Sequence, residues 1–167
     1  MQKNFKVWIK SSTDQIHNIA VQGPKSRDIL KKFVWTPLTQ PKLEEIDWFR
    51  FTVGRIGDLN GPPIMVSRTG YTGELGYEIY VAPQFQLKLF EEIELHGKEL
   101  SLKLYGARAL MALRLEKNWG AWSLDFRPDF TAAESGLDAF IDWNKDFVGK
   151  EACLVEKNRE LKRNLLL

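Results

Sequence analysis

Three glycines spaced three residues apart, set between two apolar runs, constrain this chain more than any other feature. They fall in Ser67-Arg68-Thr69-Gly70-Tyr71-Thr72-Gly73-Glu74-Leu75-Gly76-Tyr77-Glu78. Glycine adopts backbone angles that other residues resist, so such a segment can turn tightly and bring its main chain near a ligand. The strand that follows alternates: Leu75, Tyr77, Ile79 and Val81 share one face, and Gly76, Glu78 and Tyr80 share the other. If the second face lines a cavity, the Glu78 carboxylate can accept two parallel hydrogen bonds from an amidine-like edge. An ordinary hairpin with a solvated Glu78 fits the same pattern, and the pattern leaves both readings open. No phosphate-loop lysine follows, so nucleotide binding gains no support.

Elsewhere the periodicity predicts strands over 5–10, 16–21, 48–56, 64–66 and 137–143. Pro24 suits the first turn of a helix that carries Ile29, Leu30 and Phe33 at helical spacing. Pro83 opens another helix to about residue 94, with Phe85, Leu89 and Ile93 on one side. Further helices are expected over 105–117, with Leu110, Leu113 and Met111 inward, and over 148–157. Residues 34–47 read as a loop with one helical turn, 119–130 as irregular, and 163–167 as the start of a strand. Together these elements predict an α+β fold, an antiparallel or mixed sheet covered by helices.

Composition narrows the function classes. Hydrophobic residues make up 44% of the 167, enough for a substantial core. The formal net charge is only +2, its basic residues are mixed with acidic ones, and no nucleic-acid motif is present, so nucleic acid is not an expected partner. The N-terminal residues lack the apolar run of a signal peptide and no stretch is long enough to span a bilayer, so an intracellular protein is expected, cytoplasmic or, in a eukaryote, of the mitochondrial matrix. Cys153, the single cysteine, lies in an apolar stretch and reads as a packing residue. His17 and His96 have no ligand neighbours at metal spacing, and no metal is expected. No catalytic triad can be assembled.

The glycine segment resembles, almost residue for residue, the signature loop of the glycine-cleavage T-protein (aminomethyltransferase) and dimethylglycine–sarcosine dehydrogenase family. Ile19-Ala20-Val21-Gln22-Gly23-Pro24-Lys25-Ser26 resembles that family's strand–turn–helix. Arg114-Leu115-Glu116-Lys117 resembles a helix end, and Asp146-Phe147-Val148-Gly149-Lys150-Glu151-Ala152 the entry to its last helix. The resemblance spans roughly residues 16–165. The stretch 114–122, with Phe126-Arg127-Pro128 and Glu134-Ser135-Gly136-Leu137-Asp138, is more similar to the dehydrogenases than to the glycine-cleavage proteins.

What the resemblance implies is a single folate-binding-type domain over 1–167, the ferredoxin-like half of the aminomethyltransferase folate-binding fold, cut short at both ends. The implied cofactor is tetrahydrofolate, in one-carbon transfer from a small amine, with FAD only on a separate chain or domain. In that family the first tyrosine and last glutamate of the loop line the pterin pocket, which here are Tyr71 and Glu78. Trp119 and Trp122 would border the cavity, although core packing explains each equally well. A pterin-contacting arginine of the family falls at Leu110. Arg108, two residues earlier and roughly 160° around the helix, replaces it only if the helix is locally shifted. The family's catalytic aspartate would lie before the first residue here and its C-terminal barrel after the last. No catalytic residue is therefore assigned, and little activity is expected of the chain alone. The other reading is a non-catalytic remnant or split subunit, an interaction module whose sheet edges meet a homodimer or partner chain.

Overall fold

A computed structural model describes residues 6–122 and 124–159, which divide into two compact units at Ala107/Arg108. The first holds a five-stranded sheet with every neighbour antiparallel. Its strands are β1 (His17–Gln22), β2 (Val34–Trp35), β3 (Phe51–Ile56), β4 (Pro63–Ser67) and β5 (Gly76–Val81), in the order β1-β5-β4-β3-β2. The helices α1 (Ser26–Leu30) and α2 (Gln86–Gly97) belong to the same unit. The expected α+β class and antiparallel sheet are present.

Register explains the two faces. Ile19 pairs with Ile79, Ile79 with Val66 and Val66 with Thr52, so this row stacks β-branched side chains across four strands. Val66 and Ile79 join Ile29, Leu30 and Phe33, then Leu89 and Ile93 of α2, in one core, and Ile19 packs against it. Side chains on successive residues point to opposite faces, so the same register carries a second row outward. There Ala20 pairs with Glu78, Glu78 with Ser67 and Ser67 with Phe51.

In the first unit two expectations are corrected, and two are borne out in part and refined. Residues 6–10 form no strand, and Trp8 and Ile9 are exposed; alternation makes a strand only where the segment pairs into a ladder, and this one pairs with no described strand. Phe5 lies outside the described residues. The strand expected from Trp48 starts at Phe51, because Arg50 N bonds back to Asp47 O and Phe49 takes the left-handed φ of 56°. The loop expected over 34–47 yields β2 as well as its helical turn, at Leu43–Glu45. The helix at Pro83 begins as a 3-10 turn (Pro83–Phe85) and extends to Gly97.

The second unit contains α3 (Ala107–Glu116), which starts at the boundary, and α4 (Lys150–Lys157). On α3, Leu110, Met111 and Leu113 are only half-buried, and it is Arg114 that is buried. The strand expected over 137–143 is instead a 3-10 turn, Asp138–Phe140: Phe140 N bonds to Leu137 O and Ile141 N to Asp138 O, which satisfies the backbone without a neighbour strand. Residues 119–130 are irregular as expected, apart from an isolated bridge between Trp122 and Phe126. The strand expected over 163–167 lies outside the described residues. No helix among the described residues is long and apolar enough to cross a membrane.

Candidate functional site

β5 is the strand that positions the site. Tyr77, Ile79 and Val81 are buried in the core, so Glu78 and Tyr80 must project from the opposite face. Glu78 is half-buried there and is not a freely solvated carboxylate. Its Oε2 accepts hydrogen bonds from the Thr69 hydroxyl at 2.6 Å and the Tyr80 hydroxyl at 3.0 Å. Thr69 Oγ1 also lies 3.3 Å from Ser67 Oγ. Among the described residues Oε1 takes no hydrogen bond, and it is not a buried orphan either, so it can meet a further donor.

The electrostatics follow from that arrangement. Burial raises the Tyr80 hydroxyl above its ordinary pKa, and the hydrogen bond to Glu78 and its charge raise it further; a hydrogen bond from Asn18 opposes them. Tyr105 is raised as well, first by burial and then by the charge of Glu78. A carboxylate, three hydroxyl-bearing residues and a second phenol therefore share one electrostatic environment. Such a group can hold a cationic or N–H-rich edge, because a carboxylate offers two oxygens and the hydroxyls fix its rotamer.

The loop before β5 turns on Gly73, whose φ of 72° lies in the left-handed region. It is tied to β1 and α1 by main-chain and side-chain bonds. Gly23 N donates to Leu75 O at 2.7 Å, and Ser26 Oγ to the same carbonyl at 3.3 Å. Gln22 reaches the loop from the end of β1: Nε2 donates to the carbonyls of Thr69 and Tyr77, each at 3.3 Å, and Oε1 accepts from Thr72 Oγ1 at 3.3 Å.

Of the residues expected from the sequence, Tyr71 and Glu78 sit in the first unit, on this loop and the strand after it. Tyr71 is half-buried and engaged in an interaction of its own. Arg108, Trp119 and Trp122 lie in the second unit. Arg108 is exposed in the first turn of α3. Trp119 is half-buried and its carbonyl accepts from Arg114 Nη1 at 2.7 Å. Trp122 is 79% exposed and meets Phe126 edge-on. Arg114 itself is engaged by Asp125 at 2.6 Å, so it braces this unit. His17 bonds Gln86 through Nδ1, and His96 stacks on Phe33.

Sequence reasoning missed Thr69, Asn18, Tyr105 and Gln22. Tyr80 was readable from the alternation as a neighbour on the Glu78 face. The others reach Glu78 or its loop through chain crossings that no local pattern records.

Residues 1–145 match the family described as the GCVT N-terminal domain. Trimethylamine-oxide aldolase of Ruegeria pomeroyi is 44% identical across 92% of this chain, which covers 20% of that protein. The aminomethyltransferase of Thermoanaerobacter pseudethanolicus is 37% identical across 97% of this chain, covering 42% of the relative. Mitochondrial dimethylglycine dehydrogenase of Homo sapiens is 36% identical across 97% of this chain, covering 18% of the relative. The chain therefore spans less than half the length of each of these relatives. With most of its residues matched, the chain belongs to the GCVT N-terminal domain family.

Proposed function

We propose that this chain supplies a tetrahydrofolate-binding portion of an aminomethyltransferase-like or dimethylglycine dehydrogenase-like protein, working in one-carbon transfer from amines. The observation that carries the reading is Glu78, a half-buried carboxylate locked through Oε2 by two hydroxyls, with Oε1 open to a donor. A reduced pterin presents adjacent ring and exocyclic N–H groups, and a fixed carboxylate is the side chain that suits such an edge. The names of the three relatives support the substrate class, since trimethylamine oxide, an aminomethyl group and dimethylglycine each have carbon on nitrogen.

Tetrahydrofolate, when bound, supplies the nitrogens that take up the one-carbon unit. The residues of this chain hold and orient. Glu78 anchors the pterin edge, and Tyr71 packs against the ring. Holding reactants in place is itself a large part of catalysis for such transfers. Arg108, Trp119 and Trp122 enter the proposal on the family resemblance, as does the ferredoxin-like half of the folate-binding fold. Any FAD would belong to a separate chain or domain.

Calorimetric titration with tetrahydrofolate tests the reading. Saturable heat is expected, and Glu78→Ala should weaken binding by roughly 2–3 kcal/mol, the range for a charged hydrogen-bonding group. Absence of heat from the intact chain would remove the ligand assignment.

A second reading has its own observation. Phe51 and Val53, 55% and 43% exposed, project from the same sheet face as Glu78. Apolar surface of this kind favours a non-catalytic interaction module that meets a second copy or a partner chain. Sedimentation that depends on concentration, together with no folate heat, would support it. A monomer at high concentration that binds folate would reject it.

A further inference from the structure

We propose that Gln22 is a positioning residue for the Glu78 site: its side-chain amide, laid across Gly70 and Gly76, holds Thr69 so that the Thr69 hydroxyl stays on Glu78 Oε2 and Oε1 is kept for the ligand. The inference rests on the pterin reading for what the site binds, and on the geometry of β1 and the loop for how it is held.

A methyl carbon built on Gly70 would lie 2.0 Å from Gln22 Oε1, and one on Gly76 would lie 1.9 Å from the same atom. The amide thus occupies the space that side chains at both positions would fill. Two of the three spaced glycines are accordingly explained by the approach of this one side chain, whereas Gly73 answers to its φ. The amide is used at both ends. Nε2 spans the carbonyls of Thr69 before the turn and Tyr77 after it, and Oε1 receives Thr72 Oγ1 within it. Thr72 is 2% exposed and its oxygen also accepts from Glu74 N at 3.5 Å, so the clamp continues into the turn. A glutamine is suited to this because a single planar amide carries donors and an acceptor side by side.

The link to Glu78 runs through Thr69. Its carbonyl is held by Gln22 and its hydroxyl donates to Glu78 Oε2 at 2.6 Å. The hydroxyl has Ser67 Oγ as an alternative partner at 3.3 Å. Release of the carbonyl lets the hydroxyl leave the carboxylate, whose Oε2 then keeps only the Tyr80 hydroxyl and is held less firmly. Gln22 does not touch Glu78 and acts only by way of the loop.

The experiment is a double-mutant cycle on tetrahydrofolate affinity, with an unfolding curve for each variant. Gln22→Met keeps the length and fills the space over the glycines while removing the amide. Thr69→Val removes the hydroxyl at nearly constant shape. Each alone is expected to raise Kd about tenfold, the scale of one charge-assisted hydrogen bond. Because both act through one contact, the double variant should also show about tenfold, not the roughly hundredfold of independent sites. Gln22→Glu, which keeps the acceptor for Thr72 but loses the donor, should match Gln22→Met. Additive effects, or an unchanged Kd for Gln22→Met when the wild type binds, would overturn the clamp and leave the pterin reading intact. No binding by the wild type would remove both. If both Gln22 variants fail to fold, Gln22 serves global stability and the positioning role is rejected.

Discussion

Glu78 sits between two hydroxyls, and the pKa values of Tyr80 and Tyr105 are raised in part by its carboxylate. Burial comes first for both Tyr80 and Tyr105, and Glu78 adds to it in each case. A folded pKa above the ordinary value of 10.0 means that the folded protein keeps the phenolic proton longer than the unfolded chain. The stability so gained is complete below the ordinary ionisation range and fades as pH rises through the folded pKa. Unfolding should therefore become easier from about pH 10 upward. Glu78→Gln removes the charge and leaves the burial, so both ionisations should move part of the way back. Ultraviolet difference titration reads this directly, and unaltered tyrosine curves in Glu78→Gln would detach the phenols from the carboxylate. The projection of Glu78 was legible because an alternating strand needs only its own residues to define two faces. Its partner Thr69 was not, since that contact depends on how a glycine turn folds back. Gln22 was noted in the sequence only as part of the strand–turn–helix that runs from Ile19, and its hold on the loop arises only once β1 pairs with β5.

β5 is flanked by β1 and β4, and its two faces meet different environments. Ile79, fully buried in the core, is expected to cost about 3 kcal/mol when changed to Ala, because lost methylene groups and a residual cavity add together. Val53→Ala, on the open face of β3, should cost less than about 1 kcal/mol. Urea midpoints with an unchanged slope would verify the contrast, and equal costs would contradict the assignment of the faces. In the second unit the counterpart is ionic. Arg114, whose side chain is 6% exposed, pairs with Asp125, and Asp125 Oδ2 also accepts from Ala121 N at 2.6 Å. Asp125→Ala strands the guanidinium and should cost about 3 kcal/mol, with Asp125→Asn costing less because an acceptor remains. An exposed-pair value near zero for Asp125→Ala would show that the guanidinium finds water. Elements with several alternating residues, such as β3 to β5, were readable from pattern. The two-residue β2 carries too little pattern to read, and 137–143 mimics a strand while its backbone bonds three residues back along the chain.

At the scale of the whole molecule, every residue of the main core lies between Val21 and Ile93, and the half-buried residues packed on it end at Leu102. The boundary at Ala107 therefore follows the completion of this core. A polypeptide ending at Ala107 should keep its sheet by circular dichroism and melt in one cooperative transition, since none of these core residues is removed. The same piece retains Glu78, Thr69, Tyr80, Tyr105 and the Gln22 clamp. If the carboxylate provides the main recognition of a pterin, tetrahydrofolate should bind the piece within about tenfold of the whole chain, the remainder being on the scale of one or two aromatic contacts. Affinity more than about a hundredfold weaker, in a piece shown to be folded, would move the main recognition to Arg108, Trp119, Trp122 or their neighbours. Equal affinity would instead remove those three residues from the site, because a ligand contact cannot be deleted without a change in binding free energy. A piece that fails to melt cooperatively would mean that the sheet needs more of the chain than its core residues indicate. The comparison thus separates the contribution of the glycine loop from that of the residues expected after α3.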